Sequence, residues 1–178
     1  DLDDGVGQFT DGIEVPLDPF PGNLGVAPAE GGPHSTVPPR RVGGNLDVKH
    51  LTAGSTLYVP VEVAGALFSV GDCHGAQGDG EVCVTGIEAP MDVTARLRLE
   101  PDRSAEGPQF ETTGPFAVDG PAYATAGVSD DLMDATKRAM RGMISRLQDR
   151  HGLTRTDAYL LCSTAVDLKL NEVVDAPN

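Results

Sequence analysis

The chain has 178 residues, enough for one sizeable domain, and its 27 acidic against 13 basic residues leave a formal charge of −14. That balance argues against nucleic acid and anionic membranes, whose affinity for proteins comes from Lys and Arg on phosphates, and it suits a neutral or cationic small molecule. No apolar run approaches the roughly 20 residues that span a bilayer. Three cysteines (Cys73, Cys83, Cys162) with no CxxC spacing argue against a finger-type zinc site. The odd count and the absence of a signal-like apolar segment favour a reducing, cytoplasmic setting. The chain starts Asp1-Leu2-Asp3 rather than with Met, which reads as a fragment or a processed product.

Residues 12–17 alternate in part and predict a short strand, held to an edge by Pro16, Pro19 and Pro21. Residues 18–45 are rich in proline and glycine and read as a long ordered loop, since Phe20, Leu24 and Val26 give it something to bury. From 45 to 99 the chain reads as strands: 56–63, 66–70, 82–87 and 91–99. In the last, Val93, Ala95, Leu97 and Leu99 alternate with Asp92, Thr94, Arg96 and Arg98, the pattern of a half-exposed antiparallel strand. Phe110, Thr112 and Phe116 predict an edge piece.

After residue 128 the period changes. Ser129 is placed as the cap of a helix over 130–150, with Leu132, Thr136, Met140, Met143, Ile144 and Leu147 on one face and Gly152 as its stop. Thr154 and Asp157 form a capping-box-like start to a second helix, with Ala158, Leu161, Ala165 and Leu168 as its stripe, and 170–174 returns as a strand. The expectation is a mainly β (α+β) chain: a loop-rich lead over 1–44, an antiparallel, sandwich-like β core over 45–128, and two C-terminal helices packed on it over 129–178.

The chemistry concentrates in residues 71–82, GDCHGAQGDGEV, a polar, glycine-rich knot between two apolar runs. Charge held there must be solvated, paired or bound to a metal, because unpaired buried charge costs several kcal/mol, roughly. Asp72 and His74 are two apart and share a side in extended chain, as do Asp79 and Glu81, and Asp47 and Lys49. A His with carboxylates suits zinc and an oxygen-rich set suits calcium, but the spacing is neither HExxH nor an EF-hand. A glycine–aspartate turn with a hydrogen-bonded buried His explains the same residues without a metal. No nucleophile elbow and no phosphate cradle occurs, and acids beside Cys73 and Cys83 disfavour a reactive thiolate.

Six runs resemble the acetamidase/formamidase family: 16–28 (PLDPFPGNLGVAP), 34–40 (HSTVPPR), 43–60 (GGNLDVKHLTAGSTLYVP), 65–82 (GALFSVGDCHGAQGDGEV), 158–167 (AYLLCSTAVD) and 171–175 (NEVVD). The resemblance implies a β-rich protein that hydrolyses small linear amides such as formamide and acetamide to a carboxylate and ammonia with a bound divalent cation, usually zinc; some members are similar to γ-lactamases. On that reading Asp47, Asp72 and His74 are metal residues. Glu81 deprotonates a metal-activated water, and Lys49 stabilises the oxyanion or pairs with an acid. Asn45, Gln77 and His34 contact the substrate. Two features depart from the family: Cys73 stands where a small residue is usual, and the family's N-terminal half, with its own histidines, is not in this sequence. The chain then reads as a C-terminal part of the family domain, completed by the N-terminal segment or a companion chain and assembling as a homo-oligomer. The competing readings are a γ-lactam hydrolase of the same family and a non-catalytic subunit of a larger assembly that binds metal or amide.

Overall fold

A computed structural model describes residues 5–114 and 120–175. Among the described residues, nine short strands fall into three antiparallel sheets, followed by two helices. The strands β1 (Val6–Thr10) and β2 (Ile13–Pro16) form a hairpin. A four-stranded sheet runs β4 (Gly43–Asn45), β3 (Phe20–Gly25), β6 (Ser69–Ala76) and β7 (Ile87–Glu88). A three-stranded sheet runs β5 (Thr56–Tyr58), β8 (Gln109–Glu111) and β9 (Tyr123–Thr125). The mainly β, antiparallel class with two C-terminal helices is as expected; several boundaries are not.

Strand β3 lies inside the segment read as loop. Pro21, Gly22 and Gly25 hide it from a propensity reading, yet it pairs with β4 on one side and β6 on the other. Conversely, residues 82–84 turn rather than extend, so the expected strand over 82–87 shrinks to β7. Residues 91–99 form no strand, and 170–174 contributes only an isolated parallel bridge, Gly80 to Glu172. Phe110 is not at an edge but in the central strand of its sheet, 3% exposed; Phe116 lies outside the described residues.

One core cluster joins Leu46, Val48, Leu51 and Phe110, with Leu24, Leu57 and Ala124 packed against it. Burying each large side chain there contributes about 1.5–3 kcal/mol. The second cluster belongs to the helices α1 (Leu132–His151) and α2 (Arg155–Ala165): Met143, Ile144, Ala158 and Cys162, with Tyr123 of β9 against them. Asp131, not Ser129, caps α1 by accepting from the Asp134 N–H at 2.7 Å; Ser129 instead accepts from the Asp131 N–H at 3.3 Å. Gly152 ends α1 in the left-handed region at φ 64°, and the Thr154 hydroxyl accepts from the Asp157 N–H at 3.1 Å, both as the sequence predicts. On α2 Ala158 is buried as expected, but its partner in the core is Cys162; Leu161, Ala165 and Leu168 of the expected stripe are exposed, and Leu168 lies beyond the helix. None of the helices is long and apolar enough to cross a membrane, among the described residues.

Candidate active site

The polar knot is itself strand: residues 71–76 are the inner length of β6, and register sets His74 opposite Phe20 on one side and Glu88 on the other. His74 is 1% exposed, with the Phe20 ring edge-on to it at 5.2 Å. Two glycines make room for it. A Cβ on Gly22 would clash with Asp47 Oδ1 and meet the Asp72 carbonyl at 2.8 Å and His74 Cε1 at 3.3 Å; one on Gly86 would meet the Ala76 carbonyl at 2.8 Å and His74 Nδ1 at 3.0 Å. A larger residue at either position would have to displace the ring and the backbone carbonyl of Asp72 or Ala76.

Gln77 fixes the imidazole. Its Nε2 donates to the carbonyls of Asp47 at 2.9 Å and Asn171 at 3.1 Å, so its Oε1 is the acceptor for His74 Nδ1–H at 2.8 Å. Nδ1 therefore carries the proton, and Nε2 is the ring atom left to bind a cation or a second proton. Asp72 Oδ1 lies 3.6 Å and Glu88 Oε1 3.2 Å from Nε2. Asp47 Oδ1 lies on the other edge, 3.9 Å from Nδ1. The expectation that Asp72 and His74 share a side holds in this geometry.

Asp47 follows β4 in a turn whose Leu46 and Asp47 N–H groups both donate to the Gly22 carbonyl, at 3.0 and 3.2 Å. The loop over 78–81 is docked by the C-terminal segment: Gly80 N–H donates to the Leu170 carbonyl and Val173 N–H to the Gly80 carbonyl. That docking brings Glu172 and Asp175 beside Asp47 and Glu81, and the four carboxylates offer oxygens within 4.8 Å of one another. Four of these acids, Asp47, Asp72, Glu81 and Asp175, hold left-handed backbone, with φ of 45°, 52°, 41° and 55°. For non-glycine residues such conformations cost of order 1–3 kcal/mol each and gather where function holds them.

The electrostatics follow from burial. Burial, then the charges of Asp47 and Asp175, pushes the Glu172 carboxyl up to about 9, and burial with Asp47 raises Glu81 to about 7. Burial also lifts Asp47, against the pull of His74. For His74 burial alone favours the neutral ring, but the Gln77 hydrogen bond and the carboxylates of Glu88, Asp47 and Asp72 outweigh it and raise its affinity for a proton. Asp47 Oδ1, Glu81 Oε2 and Glu172 Oε2 are buried with no hydrogen-bond partner among the described residues. On the other edge of the ring, His74 Nε2 with the oxygens of Asp72 and Glu88 is a donor set that fits a divalent cation.

Glu88, Glu172 and Asp175 are the residues that sequence reading missed. Glu88 lies just past the glycine knot and enters through strand register, while Glu172 and Asp175 lie far along the chain and enter through the C-terminal docking. Asn45 Nδ2 donates to Asp175 Oδ2 at 3.0 Å, which places it at the cluster. Gln77 has both ends of its amide engaged within the chain, so it braces His74 rather than facing outward. Lys49 pairs with Asp79 at 2.8 Å, the second of its two expected roles. His34 is exposed, with its ring Nε2 2.7 Å from the Glu30 carbonyl in its own loop. A cavity of about 470 Å³ has Leu46, Phe110 and Met140 on its walls and Glu172 and Asp175 among its lining.

The sequence model described as the Acetamidase/Formamidase family matches residues 29–178. An acetamidase of Mycolicibacterium smegmatis is 33% identical over 73% of this chain and 36% of its own length. A formamidase of Methylophilus methylotrophus is 53% identical over 34% of this chain and 14% of its own length. The crystal structure of an acetamidase from Bacillus halodurans superposes with a TM-score of 0.73 at 30% identity, covering 96% of this chain and 55% of that one. The chain thus spans about half of the solved relative and about a third or less of these two curated relatives. With its most distinctive block forming the wall of the buried His–carboxylate centre, this chain belongs to the acetamidase/formamidase family.

Proposed function

We propose that this chain carries the hydrolytic centre of an amidase that converts small linear amides, formamide or acetamide, to a carboxylate and ammonia. The observation that carries the reading is the fixed tautomer of His74, whose Nε2 faces Asp72 and Glu88 while Glu81 waits behind with an unpartnered oxygen. His74 Nε2, Asp72 and Glu88 would hold the cation. One nitrogen with two carboxylate oxygens is a donor set that suits zinc. When bound, zinc polarises the amide carbonyl as a Lewis acid.

The chain's own residues do the rest. Gln77 holds the ring so that Nε2 and not Nδ1 faces the cation. Glu81, raised to about 7 by burial and by Asp47, takes the proton of the attacking water as a base poised near neutral pH. The water oxygen bonds to the carbonyl carbon, the C–N bond breaks, and Glu81 returns its proton to the departing nitrogen, which leaves as ammonia. No enzyme-bound acyl group is formed. Cys73 takes no part, since burial and the neighbouring Asp72 and Glu88 charges raise its thiol.

The part of the family fold that these residues do not include, as a joined segment or a companion chain, completes the walls of this centre. The support is the exposure of Val93, Leu97 and Leu99 along a stretch that pairs with no strand among the described residues. The test is ammonia release from formamide and acetamide by the zinc-loaded chain, alone and with the remaining portion of a full-length relative. Release that requires zinc supports the proposal. Zinc binding without release in either setting would make the chain a cation-holding part of an assembly instead.

A further inference from the structure

We propose that Asp79 is a positioning residue of the centre: held between Lys49 and Lys169, it locks the segment 169–173 onto the loop after β6, and through that segment it fixes both the His74 ring and Glu81. The roles given to His74 and Glu81 rest on the amidase reading; the lock itself rests on geometry.

The loop over 78–81 is hard to hold. Gly78 and Gly80 flank Asp79, and Gly80 stands at φ 91°, a conformation that glycine reaches freely. Two glycines in four residues leave the backbone many alternatives, yet Glu81 is kept at φ 41° and 6% exposed. The restraint comes from the C-terminal segment. Gly80 N–H is shared between the carbonyls of Leu170 at 3.1 Å and Asn171 at 3.2 Å, and the Gly80 carbonyl accepts from Val173 N–H at 2.9 Å. The Asn171 carbonyl also accepts from Gln77 Nε2 at 3.1 Å. One carbonyl thus serves both halves of the centre: the amide that fixes the His74 ring, and the backbone that carries Glu81.

Asp79 ties that segment down by charge. Its Oδ1 lies 2.8 Å from Lys49 Nζ and its Oδ2 3.6 Å from Lys169 Nζ. Lys49 stands in the turn that follows Asp47, and Lys169 precedes the two carbonyls that bind Gly80. A single carboxylate therefore spans three stretches of chain, one oxygen to each lysine. Burial works against its charge, but Lys49 and Lys169 outweigh burial and hold the carboxyl below its usual range. With the Asp79 side chain 46% exposed, such pairs add little to global stability. Their effect is on which conformation of the glycine loop is populated. A displacement of about 1 Å at a reacting group costs up to ~10²-fold in rate.

The experiment compares the parent with Asp79→Asn and Asp79→Ala. Ammonia release from acetamide, by zinc-loaded protein completed with the remaining portion of a full-length relative, gives kcat and KM. In the chain itself, NMR follows hydrogen exchange at the Gly80 amide and at His74 Nδ1. Both variants should melt within about 4 °C of the parent. Each should lose at least about tenfold in kcat with KM unchanged within about twofold, and exchange both protons at least about tenfold faster. A residue that only supports the fold would not separate kcat from KM, nor free the ring proton at an unchanged melting temperature. Folded variants with kcat within about twofold of the parent, or with both protons exchanging at the parental rate, would overturn the proposal. So would a KM that rises as kcat falls, which would make Asp79 a substrate contact, or a lost melting transition in both variants, which would make it a fold-holding residue. A parent that releases no ammonia would sink the amidase reading instead, and the two exchange rates would then decide the lock.

Discussion

Residues 69–76 and residues 91–99 show opposite relations between pattern and pairing. The first stretch, SVGDCHGA, has two glycines and little β-branched content, yet it becomes β6, paired with β3 on one side and β7 on the other. The second has a clean alternation of Val93, Ala95, Leu97 and Leu99 with polar residues, yet it forms no strand, and Leu97 and Leu99 are 69% and 73% exposed. A strand is a property of a pair, since its backbone groups need partners and its apolar face needs cover. β6 finds both in this chain, because the proline- and glycine-rich β3 can approach it closely enough for Gly22 to sit against His74. A clean strand pattern without a neighbour stays unpaired, and a poor pattern with two neighbours becomes strand.

That contrast can be broken most strongly at the site. Glu81→Gln keeps the shape and removes the base; amide turnover should fall by about 10²–10⁴-fold with an unchanged circular dichroism spectrum. Turnover within a factor of a few of the parent would move the base elsewhere.

Next comes the response of the metal-free protein to pH. Glu81 and Glu172 hold protons more tightly folded, at about 7 and about 9, than at their ordinary 4.5. Asp47 and His74 shift in the same direction. The folded state thus binds more protons than the unfolded one, and stability is lost as pH rises from about 4.5 through 9. The melting temperature in chelator should fall between pH 5 and pH 9, roughly, and divalent cation should flatten that slope. A melting temperature that climbs over that window would show the carboxylates ionised and compensated in some other way.

Much of this site is legible in the sequence. Asp47, His74 and Glu81 were visible because charged residues flanked by glycine between apolar runs must be solvated or bound, and they do meet in space. The pairing of Asp72 with His74 followed from the two-residue period of a strand. What stayed hidden needed three dimensions. Glu88 enters through strand register, Glu172 and Asp175 through the docking of the last segment on Gly80. Gln77 looked like a substrate contact because nothing local reveals that two distant carbonyls use its amide nitrogen. The helices were the easiest part, since caps and 3.6-residue periodicity are local; even there, Asp131 displaced Ser129 as the cap.

Gly22→Ala sharpens the contrast at lower cost to the molecule. The added methyl would clash with Asp47 Oδ1 and lie 2.8 Å from the Asp72 carbonyl, so β3 must withdraw from β6. The expected loss is about 1–3 kcal/mol in denaturant unfolding, with weakened zinc binding. An unchanged midpoint would mean that the two strands are not held this closely.

The smallest effect belongs to the unpaired stretch. Leu97→Asn should change the stability of the isolated chain by no more than about 0.5 kcal/mol, since the side chain is exposed. A loss of several times that amount would place residues 91–99 in a packed strand within this chain and erase the difference between the two regions.

The central claim is that His74 Nε2, flanked by Asp72 and Glu88, holds the cation of an amide-hydrolysing centre. The most direct measurement is diffraction at the zinc absorption edge from a zinc-loaded crystal. A single strong anomalous peak within bonding distance of His74 Nε2, with Asp72 and Glu88 oxygens in its shell and His74 Nδ1 still on Gln77, is the predicted result. A zinc bound only among Asp47, Glu172 and Asp175, or at Nδ1 with Gln77 displaced, would contradict it.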